Sequence, residues 1–199
     1  MAQPAIAHPA DHDHIVVVRN ATWADYQRHL EIRGDDPAPR LTYLEGSLEL
    51  TTSSRSHESL KSMIGCLVEA WCFERGLDIS PYGSWTLENE DADRGAEPDE
   101  CYVVGDVPEP ALPDLAIGVV WTSGGVDKLD VYRKLGVREV WIYEAAAFRL
   151  YALDGERYRP VEASAVLPGI DLAQLAEYIS VMPMTRAVRA YRKALRDDD

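Results

Sequence analysis

Two stretches of the chain repeat apolar residues every three or four positions, as helices that pack on a core do. The longer one follows Ser56 and ends before Gly76. Its apolar positions are Leu60, Met63, Ile64, Leu67, Val68 and Trp71. We expect it to be the main core helix. A shorter, peripheral helix is predicted over Thr22 to Ile32, with Asn20 or Thr22 as its N-cap and Gly34 as its stop.

Alternating or continuous apolar runs predict the strands. The run from Leu41 to Thr51 alternates around Gly46, which indicates a strand or a tight hairpin. LAIGVVW, from Leu115 to Trp121, is continuously apolar, as in a central strand that is covered on both faces. Further strands are predicted over residues 78–87, 98–104, 137–144, 149–153 and 157–161.

A helical pattern that ends at Gly136 separates LAIGVVW from VREVWIYE. This order of strand, helix and strand predicts a right-handed crossover. Asp154-Gly155 is a hairpin turn between the last two strands. Two helical segments, broken at Pro183, follow in Asp171 to Leu195, and the second is amphipathic and rich in Arg. That segment either caps the domain or meets a partner.

Length and composition predict one α/β domain. The chain has 199 residues, 46% hydrophobic and 27% charged, and no internal repeat. We expect a disordered leader over residues 1–14, the domain over 15–182, and a C-terminal helix with an acidic tail over 183–199. The N-terminal sequence lacks the pattern of a signal peptide, so the cytoplasm is the expected location.

The charge balance limits the partners. Acidic residues outnumber basic ones 34 to 20, for a net charge of -14. This disfavours passive binding to nucleic acid or to an anionic membrane, so any nucleic acid must be held locally. The three cysteines have no CxxC spacing, which makes a disulfide framework or a zinc site improbable.

Residues 97 to 143 contain the main candidates for chemistry. Glu97 and Asp99 are two apart in a predicted strand, so both carboxylates could approach one cation, and oxygen ligands suit Mg²⁺ or Mn²⁺. The alternative is that both lie on a solvated strand face. Lys128, near a helix start, could orient a water or stabilise phosphate charge, or it could be an exposed helix residue beside Asp127 and Asp130.

Three further polar residues are candidates upstream. Glu45 lies in the first hairpin, and His57 with Glu58 opens the core helix; all three could contact substrate or support the site. His57 could equally satisfy backbone groups at the helix start. A serine nucleophile is disfavoured, because TSGG lacks the GxSxG pattern.

Four segments from about Tyr43 to Leu153 share a recognisable order and spacing. They are YLEGSLELTTSSRSHE, RGAEPDECYVV, PDLAIGVVWTSGGVDKLDVYRKLGVREVWIYE and RLYAL. Together they resemble the Uma-type restriction endonuclease family of the PD-(D/E)xK nuclease superfamily. The resemblance implies a restriction-endonuclease-like mixed central sheet flanked by helices, and metal-dependent hydrolysis of phosphodiester bonds in DNA. By position, Asp99 matches the first acidic motif, Lys128 a lysine displaced onto the following helix, Glu45 the upstream acid and His57 a further family position.

One position departs from the family pattern. The family expects an acid in the middle of LAIGVVW, where this chain has Gly118. Asp114 on the same strand face is four residues away, roughly 13 Å, which is too far for a simple replacement, whereas Glu97 is nearer.

Two hypotheses follow from this departure. The first is an endonuclease in which Asp99, with Glu97 and Glu45, holds Mg²⁺ or Mn²⁺ and Lys128 positions the attacking water. A homodimer is compatible with it, because dimers suit nucleases that cut both strands. The second is an inactive pseudo-nuclease that binds nucleic acid or a protein. The net charge of -14 slightly favours a protein partner over DNA in that case.

Overall fold

The computed structural model describes residues 11–121 and 125–197. In these ranges the chain forms eleven strands and five helices. The elements, in chain order, are β1 (His14–Arg19), α1 (Trp23–Arg33), β2 (Arg40–Leu44), β3 (Ser47–Thr52), α2 (Arg55–Arg75), β4 (Ile79–Pro81), β5 (Leu87–Asn89), β6 (Arg94–Ala96), β7 (Glu100–Val104), β8 (Leu115–Val119), α3 (Lys128–Leu135), β9 (Glu139–Glu144), β10 (Ala147–Asp154), β11 (Arg157–Val161), α4 (Leu172–Ile179) and α5 (Met184–Asp197).

The strands form two sheets. One has the order β1-β3-β2-β6-β5, and the other has the order β11-β10-β9-β8-β7-β4. Paired strands run antiparallel except β8 and β9, which are parallel and are connected through α3. The second sheet is therefore mixed, and the predicted α/β class with a mixed central sheet is confirmed.

Helix α2 organises the largest core cluster. Its buried face carries Met63, Ile64, Leu67, Val68 and Trp71, the same residues that set its sequence period. Ser54 caps its start by accepting a hydrogen bond from the His57 amide, and Gly76 ends it in the left-handed region. The cap at Ser54 places His57 in the first turn, facing the interior.

Helix α1 covers the outer face of the first sheet. Thr22 and Asp25 form a reciprocal capping box at its start, as the Thr22 prediction required. Tyr26 of this helix packs with Leu41, Tyr43 and Leu48 of the β2–β3 hairpin in a separate apolar cluster. The hairpin is thereby held between α1 on one side and the candidate site on the other.

The prediction of one strand from Asp78 to Leu87 is wrong. The structure has β4 and β5 there, in different sheets, because Pro81 and Gly83 interrupt the extended run. Residues 88–96, for which the sequence predicted no strand, contain the end of β5 and all of β6. Short strands of three residues leave too few positions for a period to appear.

Both predicted boundaries of the domain move outward. The leader assigned to residues 1–14 is too long: β1 starts at His14, and Asp13 is buried against α2. Residues 1–10 lie outside the described part. Helix α5, within the segment assigned to 183–199, packs on the core, since its Ala187, Tyr191 and Leu195 join the α2 cluster. Among the described residues, no helix is long and apolar enough to span a membrane.

Candidate functional site

Asp99 lies where the neighbouring strands β7 and β8 of the second sheet begin to pair. It comes just before β7, and its amide donates to the Ile117 carbonyl of β8 at 3.1 Å. Its side chain turns back to the same strand, where Oδ2 accepts a 2.6 Å hydrogen bond from the Val119 amide. The carboxylate is therefore held beside Gly118, the position where the resemblance predicted an acid.

Two cationic side chains contact the other oxygen of Asp99. The Arg40 guanidinium of β2 lies 2.5 Å from Oδ1, and His57 Nε2 lies 2.9 Å from it. Burial would raise the pKa of the Asp99 carboxyl, but the hydrogen bond from His57 and the charges of Arg40, Lys128 and His57 outweigh it and hold the pKa well below its usual range. Asp99 is thus a buried anion with both oxygens engaged.

His57 joins two carboxylates. Its Nδ1 lies 2.8 Å from Asp13, while its Nε2 faces Asp99. Burial lowers the pKa of His57, but hydrogen bonds and charge from Asp99 and Asp13 raise it above its usual value overall. A ring with an anion at each nitrogen is stabilised as the imidazolium, so His57 acts as a bridging cation. We call Asp13, His57, Asp99 and Arg40 the Asp99 network.

A cavity of about 210 Å³, which we call the site cavity, adjoins the Asp99 network. Its lining includes His57, Gly118, Lys128 and Glu49. Adding a Cβ atom at Gly118 would bring it 3.2 Å from the Ile142 terminal methyl, so the space beside the glycine is narrow but bounded by a movable side chain. The Lys128 ammonium is 3.9 Å from the Glu49 carboxylate. Gly118 and Lys128 therefore line the same cavity.

Glu49 is the residue that the sequence analysis missed. It is 1% exposed, and its carboxylate accepts hydrogen bonds from the Thr51 hydroxyl at 3.0 Å and the Val126 amide at 2.8 Å. The available signal was an acid between Leu48 and Leu50 in an alternating strand. Alternation alone predicted a solvated position, but α3 and its preceding loop cover this face of the sheet.

Glu97 does not share the surroundings of Asp99. Its carboxylate lies 2.6 Å from Arg33 and also accepts bonds from the Leu41 amide and the Thr86 hydroxyl. The inference that the two acids share one strand face fails because Glu97 and Pro98 precede β7 in irregular backbone, where the two-residue alternation does not apply.

Glu45 and Glu58 lie at the periphery. Glu45 occupies the β2–β3 turn with a φ of 40°, and its side chain is 69% exposed and pairs with Arg94. Glu58 is 48% exposed and lies 3.3 Å from Lys61 and 3.9 Å from Arg40. Neither lines the cavity of about 210 Å³.

The donor set around Asp99 does not fit a divalent metal. A metal ion needs free carboxylate oxygens, whereas those of Asp99 already accept from Arg40, His57 and the Val119 amide. Gly118 supplies no ligand. Within residues 11–121 and 125–197, no three or more His, Cys, Asp or Glu side chains are grouped as a metal site would need.

Comparisons with known proteins agree with the architecture. No curated protein matches the chain. A crystal structure from Anabaena variabilis ATCC 29413, titled a putative nuclease belonging to DUF820, is similar with a TM-score of 0.50 and 12% identity, over 81% of this chain and 96% of that one. This likeness supports the fold alone. The sequence profile of Uma2, described as putative restriction endonuclease, matches residues 23–180, so the chain belongs to the Uma2 family.

Proposed function

We propose that this protein is a nuclease-fold protein that binds nucleic acid and does not hydrolyse it with a divalent metal. The observation that supports the proposal is the pairing of the Asp99 carboxylate, at the position that resembles the first acidic motif. Its carboxylate is neutralised by the protein's own cations, Arg40 at 2.5 Å and His57 at 2.9 Å.

Energetics favour the internal cations over a metal. Arg40 and Asp99 have side chains only 9% and 4% exposed. A metal that displaced Arg40 would leave a buried guanidinium without its partner, which costs about 3–5 kcal/mol in comparable buried pairs. Gly118 offers no second carboxylate to offset that cost.

Membership in a nuclease family supports nucleic acid as the partner class. The net charge of -14 requires that such a partner be held by a local group of cations. Lys128, 35% exposed at the rim of the site cavity, is one such cation. This proposal retains the binding half of the family's function.

A second candidate is a DNA endonuclease that uses Mg²⁺ or Mn²⁺. Glu49 favours it, because this buried acid lies beside Lys128 on the cavity that Gly118 lines. In this arrangement Glu49 and Asp99 would hold the ion, which would supply Lewis acidity to the phosphate. Lys128 would orient the attacking water.

Cleavage assays on plasmid and single-stranded DNA, with Mg²⁺ or Mn²⁺, separate the two candidates. The variants are Asp99→Ala, Glu49→Gln and Gly118→Glu, with Asp154→Asn as a control in an exposed ion pair. We expect no cleavage by the wild-type protein. Cleavage by Gly118→Glu alone would support loss of activity at that position. Wild-type cleavage abolished by Asp99→Ala and Glu49→Gln would overturn the proposal in favour of the second candidate.

Binding is measured separately, with EDTA present to remove metal. We expect the wild-type protein to raise the fluorescence anisotropy of a labelled single-stranded oligonucleotide. The control variant Asp154→Asn should raise it equally. Absence of binding at low salt would contradict the nucleic-acid part of the proposal. The predicted cytoplasmic location and homodimer stay predictions, and light scattering of the purified protein tests the second.

A further inference from the structure

Helix α5 concentrates positive charge on an acidic protein. Its 14 residues include Arg186, Arg189, Arg192, Lys193 and Arg196, and a single acid, Asp197, at its end. The protein as a whole carries a net charge of -14. The helix also lies beyond residues 23–180, the part matched by the Uma2 profile. Its basic face therefore lies outside the part of the chain that the Uma2 profile matches.

Two of these cations are used within the protein. Arg192 and Arg196 both bind Glu74 of α2, and the Arg192 guanidinium lies 4.6 Å from the centre of the Phe73 ring. These contacts fix the C-terminal half of α5 on α2. They also fix the direction in which the remaining cations face.

Three cations on α5 face solvent. Arg186, Arg189 and Lys193 are exposed, and among the described residues no acidic side chain pairs with them. Their spacing of three and four residues puts them along one side of the helix. The buried residues Ala187 and Tyr191 lie on another side. Taken alone, a basic helix face is most simply a solvated one.

A groove connects this helix to the candidate site. A cavity of about 680 Å³ is lined by Val120, Trp121, Tyr143 and Met182, among others. Val120 also lines the site cavity beside Gly118 and Lys128. At the other end, Met182 lies two residues before α5 begins. The groove thus runs from the site to Met182, in the segment just before the basic helix.

The groove presents an aromatic surface along this route. Trp121 is 43% exposed, and its Nε1 donates to the Asp11 carbonyl at 2.7 Å, which holds the indole in place. Stacking of bases on exposed aromatic rings, combined with cations that follow the backbone, is the usual way of binding single strands without sequence preference. A duplex would need a wider cationic surface than one helix face.

We propose that Arg186, Arg189 and Lys193 hold the phosphates of a single-stranded nucleic acid that continues into the groove, where a base stacks on Trp121. This inference depends on the proposed function only in that the fold binds nucleic acid. It assigns the binding surface and the strandedness, which the family does not.

The test compares two triple charge reversals in anisotropy titrations with a labelled oligo(dT) of about 20 nucleotides, in EDTA. The first is Arg186→Glu with Arg189→Glu and Lys193→Glu. The control is Arg28→Glu with Lys134→Glu and Arg157→Glu, three exposed cations elsewhere. Both change the net charge equally. We expect the α5 variant to bind at least about tenfold more weakly and to lose about two units of salt slope, as three lost phosphate contacts imply.

Two further variants sharpen the test. The neutral set Arg186→Gln, Arg189→Gln and Lys193→Gln should weaken binding in the same direction, which separates lost attraction from added repulsion. Trp121→Ala should weaken binding by roughly fivefold or more with an unchanged salt slope, because stacking involves no counterion release. Circular dichroism of each variant verifies that the helices remain folded.

The outcomes are distinct. Equal losses in the α5 and control variants would overturn the inference, since overall charge alone would then explain them. Unchanged binding by the α5 variant would overturn the assigned surface while leaving nucleic-acid binding intact. A preference for duplex, or for anionic vesicles of phosphatidylserine over oligo(dT), would overturn the single-stranded partner. No binding by the wild-type protein would remove the proposed function itself.

Discussion

The Arg40 guanidinium lies 2.5 Å from the Asp99 carboxylate, and both side chains are nearly inaccessible to solvent. Removing two charges from water is costly, and their mutual attraction repays this only where the remaining donors and acceptors are also satisfied. Asp99 meets that condition through His57 and the Val119 amide. Asp99 is therefore part of the structural core.

Asp99→Asn should destabilise the protein by about 3 kcal/mol, because it leaves Arg40 buried beside a neutral amide. The matched change Asp154→Asn breaks an ion pair with Arg159 in which both side chains are more than half exposed, and it should cost at most about 1 kcal/mol. Urea unfolding followed by circular dichroism measures both. Similar values for the two variants would mean that the Asp99 network adds little to stability.

The stability of the protein should fall as the pH rises through the raised pKa of His57. Protonated His57 stabilises the folded state fully below its ordinary pKa of 6.5, and that contribution is lost as the pH passes the higher folded value. Asp99 acts in the opposite direction: its lowered pKa stabilises the fold above about pH 4, and this is lost only in stronger acid.

Melting temperatures from pH 6 upward measure the His57 effect, with the Asp13→Asn variant for comparison. That change removes the carboxylate at Nδ1, 2.8 Å away, and should lower the pKa of His57 and move the loss of stability to lower pH. The quantity to compare between the two proteins is the pH at which half of the stability loss has occurred, not the size of that loss. An unchanged midpoint would show that Asp13 does not tune His57.

Elements with long periods were predictable from the sequence. The α2 face that carries Ile64, Leu67 and Trp71 is buried as its spacing indicated, and the β8–α3–β9 unit has the expected parallel pairing. In such elements, several apolar positions at a regular spacing indicate which face is buried. β5 and β6 have only three residues each and show no such spacing. β6 is instead stabilised by pairing with β2 on one side and β5 on the other.

The site was only partly predictable, because its ion pairs join distant parts of the chain. Arg40, His57 and Asp99 come from β2, α2 and the approach to β7, so no local spacing reveals that they meet. Motif matches gave Asp99, His57, Gly118 and Lys128 one by one. Arg40 and Asp13 stabilise the charged forms of Asp99 and His57, but neither belongs to a recognisable motif.

Glu97→Gln tests the sequence-based assignment of Glu97 as a metal ligand. The structure pairs its carboxylate with Arg33 and the Thr86 hydroxyl, so the change should cost about 1–3 kcal/mol of stability. It should leave oligonucleotide binding and any calorimetric response to Mn²⁺ the same as in the control Glu31→Gln, an exposed acid. Loss of a Mn²⁺ response in Glu97→Gln alone would restore the ligand assignment.

Glu49→Gln tests what holds the start of α3 against the sheet. Glu49 accepts a 2.8 Å bond from the Val126 amide and lies 3.9 Å from the Lys128 ammonium, so a neutral side chain should weaken both contacts. We expect a loss of about 1–3 kcal/mol and faster hydrogen exchange at residues 126–130.

Lys128→Met completes a double-mutant cycle with Glu49→Gln. A coupling energy of about 0.5 kcal/mol or more would show that the two charges act together. If Glu49→Gln instead leaves hydrogen exchange at residues 126–130 unchanged and abolishes a Mn²⁺-dependent cleavage, Glu49 serves a metal ion, as the second candidate function requires. Glu49→Gln thus distinguishes two roles of Glu49, as an anchor for α3 or as a metal ligand. Only loss of an anchor would change hydrogen exchange in the metal-free protein.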